Sequence, residues 1–423
     1  MPDYRRRVVD SELDELLTGL PAIALEGPKG VGKTATAALR AGTQHRLDDP
    51  GIAAIMAADP SRVTSGTAPV LIDEWQRIPT VWDFVRRAVD EDPSPGRFLM
   101  TGSAAPDGPP THSGAGRIVR LRMRPLALCE RGLVEPTVPL SELLAGRRPA
   151  LGGRSDVDLE AYVDEIVASG LPGLRGLPAR ASRAALDGYL ERVVDRDIPE
   201  SGVELRRPAT LRRWLTAYAA ATATTTSWER IRAAATAGED EKPARSTTIP
   251  YREALERIWI LDPVEAWHPS RSRLRRLGSA PRHHLADPAF VARLLGVDRD
   301  ALLRGEGARL SASDGVLLGA LFESLATLSV RVLAQAVEAR TAHLRLHGGQ
   351  REVDLIVERG DGAVLAIEVK LAATVDDTDV RHLRWLRDEL GDRVLDTLVI
   401  TTGPEAYRRQ DGIGVVPLAL LGP

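Results

Sequence analysis

The octapeptide GPKGVGKT at residues 27–34 constrains the fold of this chain more than any other feature. It matches G-x-x-x-x-G-K-[ST] in full, follows the apolar run AIAL at 22–25 and precedes the helix formers ATAALRA. Strand, glycine loop and helix form the context that a phosphate-binding loop needs, because backbone N–H groups wrap a phosphate chain at the positive end of the helix. The sequence therefore predicts an α/β P-loop domain that binds a nucleotide.

Every residue of this loop is a candidate nucleotide ligand, and two of them have specific expected roles. We expect Lys33 to reach the β- and γ-phosphates of ATP and Thr34 to hold Mg²⁺. The alternative is a chance glycine turn before a helix, which the full match in its strand–loop–helix context disfavours. The candidate ligands are Gly27, Pro28, Lys29, Gly30, Val31, Gly32, Lys33 and Thr34.

A second apolar strand carries the acidic residues that such a site needs. The segment PVLIDEW at 69–75 ends in Asp73 and Glu74. We expect Asp73 to bind Mg²⁺ through water and Glu74 to be the general base that polarises the attacking water. An apolar run that ends in Asp-Glu is weak by itself, and the P-loop makes it meaningful.

Two later segments offer further contacts to the phosphates. RFLMTGSAA at 97–105 brings Thr101 or Ser103 to a strand end, where a hydroxyl can contact the γ-phosphate, although a plain strand-to-turn transition fits as well. Arg117 follows the glycine-rich stretch SGAG. An arginine there can stabilise transition-state charge, an effect worth about 10³–10⁵ in rate in related chemistry. A surface arginine is the alternative, and action in trans would require a dimer or a ring.

Composition bounds the rest of the chain. At 423 residues, two or three domains are expected. The single cysteine, Cys129, excludes an internal disulfide framework and a multi-cysteine metal site. The N-terminus lacks the apolar core of a signal peptide, and no uninterrupted apolar run reaches the roughly 20 residues of a membrane helix, so we expect a cytoplasmic protein without membrane contact. With a net charge of −3, binding to nucleic acid would depend on local basic patches.

Four motifs in order, GPKGVGKT, LIDEWQRIP, FLMTGSAA and SGAGRIVRLRMRPLALCE, resemble the predicted AAA-superfamily ATPases of bacteria and archaea. Those proteins combine a compact N-terminal ATPase module with a C-terminal region of unknown function. The resemblance implies an ATPase core that uses ATP and Mg²⁺, but it supplies no biological role. YLERVVDRDIP at 189–199 also matches in character, which makes Arg192, Arg196 and Asp197 candidates for contact with the ATPase module, with ordinary solvated charges as the favoured alternative.

Residues 207–267 have the rhythm of a winged-helix domain with three helices. In helix-turn-helix domains the last helix can enter the major groove of DNA. Its exposed face here has mixed charge, which attracts phosphate poorly, so docking on a partner protein or within the chain is the competing interpretation. The basic stretch at 271–284 is the best local candidate for contact with a phosphate backbone, with a solvated loop as the alternative. The residues expected on the exposed helix face are Arg252, Glu253, Glu256 and Arg257.

The C-terminal part has the predicted order helix–strand–strand–strand–helix–strand, which resembles the core of the PD-(D/E)xK nucleases. The hairpin REVDLIVERGDGAVLAIEVK at 351–370 supplies D-x13-E-x-K through Asp354, Glu368 and Lys370. The preceding apolar helix carries one carboxylate in its first half, Glu323. Because strand side chains alternate between faces, Glu368 and Lys370 share one face.

The turn of this hairpin sets its register. A three-residue loop would pair Arg359 with Ala363, and Gly362 can supply the left-handed conformation that such loops commonly want. That register places Asp354 opposite Glu368, with about 4.5–5.5 Å between their Cβ atoms.

Two carboxylates that close repel each other unless a cation lies between them. We therefore expect Mg²⁺ between Asp354 and Glu368, with Glu323 completing the site and Lys370 orienting or deprotonating a water that attacks phosphorus. The alternative is a solvated strand face with a cross-strand ion pair.

These patterns predict an AAA-like P-loop domain over 1–134, a helical and winged-helix-like region over 150–295, and a restriction-endonuclease-like α/β domain over 296–423. The leading hypothesis is a Mg²⁺-dependent ATPase coupled to nucleic-acid binding or to metal-dependent DNA cleavage, with DNA favoured over RNA. One alternative is a nucleotide-gated switch that binds a protein partner and has an inactive nuclease-like domain. Another is a DNA-binding regulator that does not cut. A homo-oligomer is expected if Arg117 acts in trans.

Overall fold

Two large β-sheets, a small two-stranded sheet and a helical layer organise the described part of the chain. The first sheet has five parallel strands in the order β2-β3-β4-β1-β5. Its strands are β1 (Ala22–Glu26), β2 (Thr43–Arg46), β3 (Val70–Asp73), β4 (Phe98–Gly102) and β5 (Ile118–Arg122). The computed structural model describes residues 4–102, 115–203, 205, 207–236, 243–268, 280–305, 317–346 and 350–423.

Helices cover both faces of this sheet, because apolar side chains point alternately to each side of a strand. Ile23 and Leu25 belong to the same buried cluster as Leu13 of the first helix. Ala22 belongs to a second cluster with Trp82 of the fourth helix. The helices of this domain are α1 (Val8–Leu17), α2 (Lys33–Ala38), α3 (Pro50–Ala58) and α4 (Val81–Glu91).

Parallel pairing brings the carboxyl ends of all five strands to one edge of the sheet. Glu26 pairs with Gly102 and with Arg122, and Asp73 pairs with Thr101. The P-loop, which follows Glu26, and the acidic pair at the end of β3 therefore meet at the same edge, where ligands of open α/β sheets bind.

The middle region is helical. Between α7 and α8 the chain forms a π-helix at Val193–Asp197. The last helix of this region, at Arg299–Leu303, pairs through Arg299 with Asp164 of α6, so the helical layer continues beyond residue 295. The helices are α5 (Leu140–Leu144), α6 (Leu159–Val167), α7 (Ala179–Arg192), α8 (Ile198–Glu200), α9 (Pro208–Ala220), α10 (Trp228–Ala234), α11 (Arg245–Arg257), α12 (Pro288–Leu294) and α13 (Arg299–Leu303).

The three helices predicted for a winged-helix domain are present as α9, α10 and α11. Isolated antiparallel bridges follow them, between Leu261 and Leu285 and between Val264 and Arg282. These bridges bring the ends of a segment together after the third helix, as a wing does. The winged-helix assignment itself stays a prediction.

The second sheet has six strands in the order β11-β12-β10-β9-β8-β7. Its β7, β8 and β9 are antiparallel neighbours, and β10 runs parallel to β9. The predicted order of helix and strands is present, followed by further short strands. Its elements are α14 (Leu317–Gln335), β7 (Arg340–Arg345), β8 (Glu352–Glu358), β9 (Val364–Val369), α15 (Arg381–Leu390), β10 (Val394–Thr401), β11 (Tyr407–Arg408) and β12 (Gly414–Pro417).

The last strand of the chain links the domain of the second sheet to the segment that follows the first sheet. A two-stranded parallel sheet joins β13 (Leu421–Gly422) to β6 (Val138–Pro139). In addition, Ala419 N–H donates to the Tyr162 hydroxyl at 3.0 Å. The domains therefore share buried contacts.

Helix α14 is apolar and long enough to cross a membrane by length and composition alone. In the described part of the chain it is the one helix that meets this test, and 72% of its most apolar window is buried inside the fold. Leu321, Phe322 and Leu325 lie in the large central cluster. Its hydrophobicity is therefore that of a core helix.

Candidate functional site

The P-loop has the conformation that its glycines predict. Gly32 precedes α2 with φ +99°, in the left-handed region. At Gly27, with φ +153°, a Cβ atom would lie 2.0 Å from the Met123 carbonyl oxygen. Both positions therefore require glycine, one for its dihedral angles and one for the close approach of another strand end.

Lys33 is the first residue of α2, and it is only 6% exposed. Its Nζ donates to the carbonyl oxygens of Gly27 and Pro28, each at 2.8 Å. Burial lowers the pKa of Lys33 to about 8, against the opposing effects of Glu74 and Asp73. A buried cation held only by carbonyl oxygens of its own loop is suited to exchange them for phosphate oxygens.

Three hydrogen-bonding groups converge beside Lys33. Thr34 Oγ1 donates to Asp73 Oδ1 at 2.8 Å, and Thr101 Oγ1 donates to the same oxygen. Asp73 is 3% exposed. Carboxylate and hydroxyl oxygens in contact are the donor set that Mg²⁺ prefers, so these residues fit the expected metal. The hydroxyl that the strand end brings here is that of Thr101, while Ser103 lies outside the described residues.

Glu74 follows Asp73 in a left-handed conformation with φ +55°. Such strain in a non-glycine residue is common at functional sites. Gln76 Nε2 donates to Glu74 Oε2 at 2.6 Å and holds the carboxylate in place. Gln76 is a residue that the sequence reasoning missed, and its position two residues after Glu74 was the available signal.

Arg117 lies at the opposite edge of the sheet from the P-loop. It directly precedes Ile118, which pairs with Ala22 at the start of β1. Its Nε donates to Asp90 Oδ1 at 2.8 Å in an exposed ion pair. Within one chain the structure therefore does not bring Arg117 to the nucleotide site. Its action in trans, with the oligomer that this would require, stays a prediction.

The P-loop also contacts the helical region. Lys29 Nζ forms an ion pair with Asp197 Oδ1 at 2.5 Å, and the Asp197 side chain is 7% exposed. The Tyr189 hydroxyl donates to the Lys29 carbonyl oxygen at 3.2 Å. Of the three residues that the resemblance suggested for this contact, Asp197 makes it. Arg196 instead pairs with Glu200 at the surface, and Arg192 is exposed.

Helix α11 faces the P-loop domain. A cleft of about 530 Å³ separates part of this helix from the carboxyl edge of the first sheet. The face of α11 with mixed charge was expected to be open to solvent, but it borders the edge of the first sheet that carries the P-loop. This position agrees with the interpretation in which the helix docks within the chain. Arg252 differs, because its guanidinium lies 4.8 Å from the centre of the Trp228 ring. The cleft is lined by Glu26, Trp75, Gly102, Arg120, Glu253, Glu256, Arg257 and Trp259.

A buried charge cluster joins the three regions next to this cleft. Asp262 forms ion pairs with Arg122 at 2.9 Å, Arg124 at 3.0 Å and Arg331 at 2.8 Å. These arginines hold the pKa of Asp262 well below its usual range, despite complete burial. Sequence reasoning missed the cluster, because its arginines come from β5, the segment that follows it, and α14.

The C-terminal hairpin has the predicted register. Arg359 N–H donates to the Ala363 carbonyl at 2.9 Å, and Gly362 is left-handed with φ +85°. The ladder pairs Leu355 with Ile367, so Asp354 follows opposite Glu368. The register prediction is confirmed, and the two carboxylates lie side by side.

The cation beside these carboxylates is the guanidinium of Arg282. Its Nη1 lies 2.8 Å from Asp354 Oδ1 and 2.5 Å from Glu323 Oε1. Its Nη2 contacts Glu352. Lys370 Nζ lies 3.3 Å from Glu368 Oε2. The structure thus brings together all four predicted residues and adds two that the sequence reasoning did not include.

The predicted Mg²⁺ site therefore differs from the structure. Among the described residues, no group of three or more His, Cys, Asp or Glu side chains is arranged to hold a metal ion. The physical reason is that Arg282 supplies the positive charge that the opposed carboxylates need. As arranged, Glu323, Asp354 and Glu368 do not fit a divalent cation.

The end of the basic stretch at 271–284 also differs from expectation. Arg282, His283 and His284 are 4%, 0% and 2% exposed, so they form no solvated surface for a phosphate backbone. Burial lowers the pKa of both histidines, which keeps them neutral. The other arginines of this stretch, which lie outside the described residues, are Arg271, Arg273, Arg275 and Arg276.

Comparisons with known proteins match three successive parts of the chain. Residues 20–131 match a family model described as an AAA domain. Residues 159–301 and 318–421 match two domains of unknown function, DUF8612 and DUF4143. Uncharacterized proteins of Mycobacterium tuberculosis and Mycobacterium bovis are each 27% identical over 420 residues, which cover 97% of this chain and 83% of the relative.

Two solved structures show a distant likeness. A Walker-type ATPase of Pyrococcus abyssi is 15% identical with a TM-score of 0.40, over 69% of this chain and 96% of the other. A RuvB mutant of Thermotoga maritima is 16% identical with a TM-score of 0.26, over 64% and 93%. At these scores neither structure informs the fold. The AAA match covers the P-loop, Asp73 and Thr101 together, so residues 20–131 are similar to an AAA domain.

Proposed function

We propose that this protein binds Mg·ATP at the P-loop and hydrolyses it. The observation that carries the proposal is the convergence of Thr34 and Thr101 on one oxygen of Asp73, beside a buried lysine. Two different strands and the P-loop helix bring these groups together. A structural role alone gives no reason for a buried lysine that, among the described residues, donates its hydrogen bonds to carbonyls of its own loop.

The residues have distinct roles in this reaction. Lys33 exchanges the carbonyl oxygens of the loop for β- and γ-phosphate oxygens. Thr34 and Asp73 would hold Mg²⁺, which would supply positive charge to the phosphate oxygens. Glu74, oriented by Gln76, accepts a hydrogen bond from the attacking water and polarises it. The Thr101 hydroxyl is placed to exchange its bond to Asp73 for one to the γ-phosphate or the water.

Nucleotide binding tests the first step. We expect Lys33→Ala to weaken binding of a fluorescent ATP analogue by about 10–100-fold, the range for lost hydrogen bonds to charged groups. Arg154→Ala is the matched control, because Arg154 forms only an exposed pair with Glu405. Equal affinity of the wild type and Lys33→Ala would overturn the P-loop assignment.

Of the coupled functions considered, a nucleotide-gated switch is favoured. Lys29 links the P-loop to the helical region, and α11 borders the nucleotide edge, so both can respond to ATP. Arg282 neutralises the carboxylates that a nuclease needs for metal. In this proposal, ATP binding changes the position of the helical region, which presents a surface to a partner.

Metal-dependent cleavage of DNA is the second candidate function, and one observation favours it. The hairpin brings Asp354, Glu368 and Lys370 to one place, which is the residue set that the PD-(D/E)xK pattern requires. Incubation with plasmid DNA and Mn²⁺, with and without ATP, tests this function. Nicking that is lost in Asp354→Ala and Glu368→Ala would establish the nuclease. No nicking, together with intact ATP turnover, would leave the switch.

A further inference from the structure

We propose that Arg7 is a positioning residue of the P-loop, which holds the Val31 carbonyl group outward so that the loop keeps its phosphate-binding shape. The inference rests on the proposed binding of ATP at this loop and assigns a further residue to it. Arg7 lies outside the P-loop motif, directly before α1, and it is only 4% exposed.

The shape of the loop creates the need for such a residue. Gly30 and Gly32, on either side of Val31, are left-handed with φ +80° and +99°. Left-handed residues in a loop of this kind help to turn successive N–H groups toward one side, where they bind an anion. The carbonyl groups then face away from the anion and need hydrogen-bond donors of their own.

The donors to these carbonyl groups differ in what they do when a phosphate enters. Lys33 Nζ donates to the carbonyl oxygens of Gly27 and Pro28, each at 2.8 Å, and in the proposed reaction it leaves them for phosphate. Arg7 Nη1 donates to the Val31 carbonyl oxygen at 2.9 Å and takes no part in that exchange. Arg7 is thus a charged donor that stays on the loop while ATP is bound.

The guanidinium of Arg7 is itself fixed on its other sides. Its Nε lies 3.0 Å from Glu130 Oε1, and its Nη2 donates to the Arg124 carbonyl oxygen at 2.8 Å. Glu130 is 8% exposed, and its two carboxylate oxygens also accept two backbone N–H groups at 2.7 Å each. A planar guanidinium that is bonded along several edges has little freedom to rotate. It therefore holds Val31 in a fixed position relative to the segment after β5.

Arg124 connects this arrangement to the buried charge cluster. Its side chain donates to Asp262 Oδ2 and to Gln335 Oε1, each at 3.0 Å. Gln335 is the last residue of α14, and its Nε2 donates to the Arg122 carbonyl oxygen at 2.8 Å. The backbone that holds Arg7 is thus held in turn by the cluster, so the support of the P-loop extends to α14.

Replacement of Arg7 by lysine separates the positioning role from the buried charge. A lysine ammonium can keep the ion pair with Glu130, but its single nitrogen cannot reach both carbonyl oxygens as well. Arg40→Lys is the matched control, because Arg40 joins Asp10 of α1 to the Thr36 carbonyl oxygen of α2, outside the P-loop.

Hydrogen exchange of nucleotide-free protein measures the effect on the loop directly. The amides of 27–34 should exchange faster in Arg7→Lys than in the wild type, and Arg40→Lys should match the wild type. The affinity for a fluorescent ATP analogue should fall about 10-fold in Arg7→Lys, as expected for a lost hydrogen bond from a charged group. KM should rise while kcat stays near that of the wild type, because Arg7 touches no reacting atom.

Three results would overturn the inference: unchanged loop exchange in Arg7→Lys, faster exchange with the affinity of the wild type, or an equal loss of affinity in Arg40→Lys. If Arg7→Lys folds poorly, Arg7→Met/Glu130→Gln removes both buried charges together and should show the same faster exchange and weaker binding. A wild type that binds no ATP analogue would contradict the proposed ATPase, while loop exchange would still decide the role of Arg7.

Discussion

Lys29 of the P-loop and Asp197 of the π-helix form an ion pair, with 2.5 Å between Nζ and Oδ1. Lys29 is one-third exposed, while Asp197 is nearly buried. The pair contributes little to stability, because half of it faces solvent. Its position matters more, since phosphates that enter the loop compete with Asp197 for Lys29. The pair thus connects nucleotide binding to the helical region.

Hydrogen exchange tests this connection. A non-hydrolysable ATP analogue should change amide exchange over 189–200 in the wild type, and this response should be lost in Asp197→Asn. The matched control is Asp195→Asn, because Asp195 lies in the same π-helix and pairs with Arg212 at the surface. The same response in the wild type and Asp197→Asn would rule out this route.

Replacement of Glu74 by Gln should separate binding from hydrolysis. Glu74→Gln keeps the size of the side chain but removes the base, so ATP should still bind while the rate falls about 10²–10⁴-fold. Gln76→Ala should lower the rate less, with little change in KM, because Gln76 only positions Glu74. Phosphate release under saturating ATP measures both. An unchanged rate in Glu74→Gln would assign the base elsewhere.

The lowered pKa of Lys33 predicts that the protein takes up protons when it binds ATP. Burial lowers its pKa to about 8 in the free protein, so part of the population is neutral at pH 8.5. Phosphate favours the charged form, so binding at that pH should take up protons, and the affinity should fall as the pH rises above about 8. Titrations in buffers of different ionisation enthalpy measure the uptake. No uptake at pH 8.5 would contradict the role of this lysine.

The same lowered pKa has a consequence for stability. Unfolded Lys33 has the ordinary pKa near 10.5, above its folded value. Between about pH 8 and 10.5 the unfolded chain binds more protons at this residue, so this residue's contribution to the free energy of unfolding rises with pH across that window. ATP should remove this dependence, because bound phosphate restores the charge.

Among the acidic residues between the regions, we expect replacement of Asp262 to lower the free energy of unfolding most. Asp262→Asn leaves Arg122, Arg124 and Arg331 without their shared carboxylate, which should cost about 3–5 kcal/mol. Urea unfolding measures this loss. Asp361→Asn is the control, because Asp361 pairs with Arg359 at the surface and its replacement should change stability little. A similar small cost at both positions would contradict the structural role of Asp262.

The pH dependence of that cluster has a defined sign. The pKa of Asp262 is lowered by its arginines, so its stabilising contribution is present above the ordinary range near pH 3.8. That contribution is lost as the pH falls toward the lower folded pKa. Acid unfolding of Asp262→Asn should therefore be flatter than that of the wild type over this range.

Local sequence patterns were enough to predict much of the candidate site. The P-loop and Asp73 were predictable because a short motif fixes the loop, and a buried strand fixes its acidic end. The hairpin register was predictable because a three-residue loop with Gly362 leaves one pairing, which places Asp354 opposite Glu368.

The other features of the site depend on contacts between residues that are far apart in the sequence, so local patterns could not predict them. Arg282 lies 72 residues before Asp354, and no local spacing indicates that its guanidinium enters the carboxylate cluster. The basic stretch around it indicated a solvated surface instead. The orientation of α11 likewise depends on contact with the first sheet, which its mixed charges do not specify. Arg117 follows a glycine-rich stretch, but only the strand pairing shows that it directly precedes β5, at the edge of the sheet opposite to the P-loop.

Phosphate release from ATP by purified wild type and Lys33→Ala, each with and without Mg²⁺, tests the proposed ATPase most directly. We expect Mg²⁺-dependent turnover in the wild type and its loss in Lys33→Ala, with Arg154→Ala behaving as the wild type. Turnover that persists in Lys33→Ala, or a wild type that releases no phosphate while it binds Mg·ATP, would contradict hydrolysis at this P-loop.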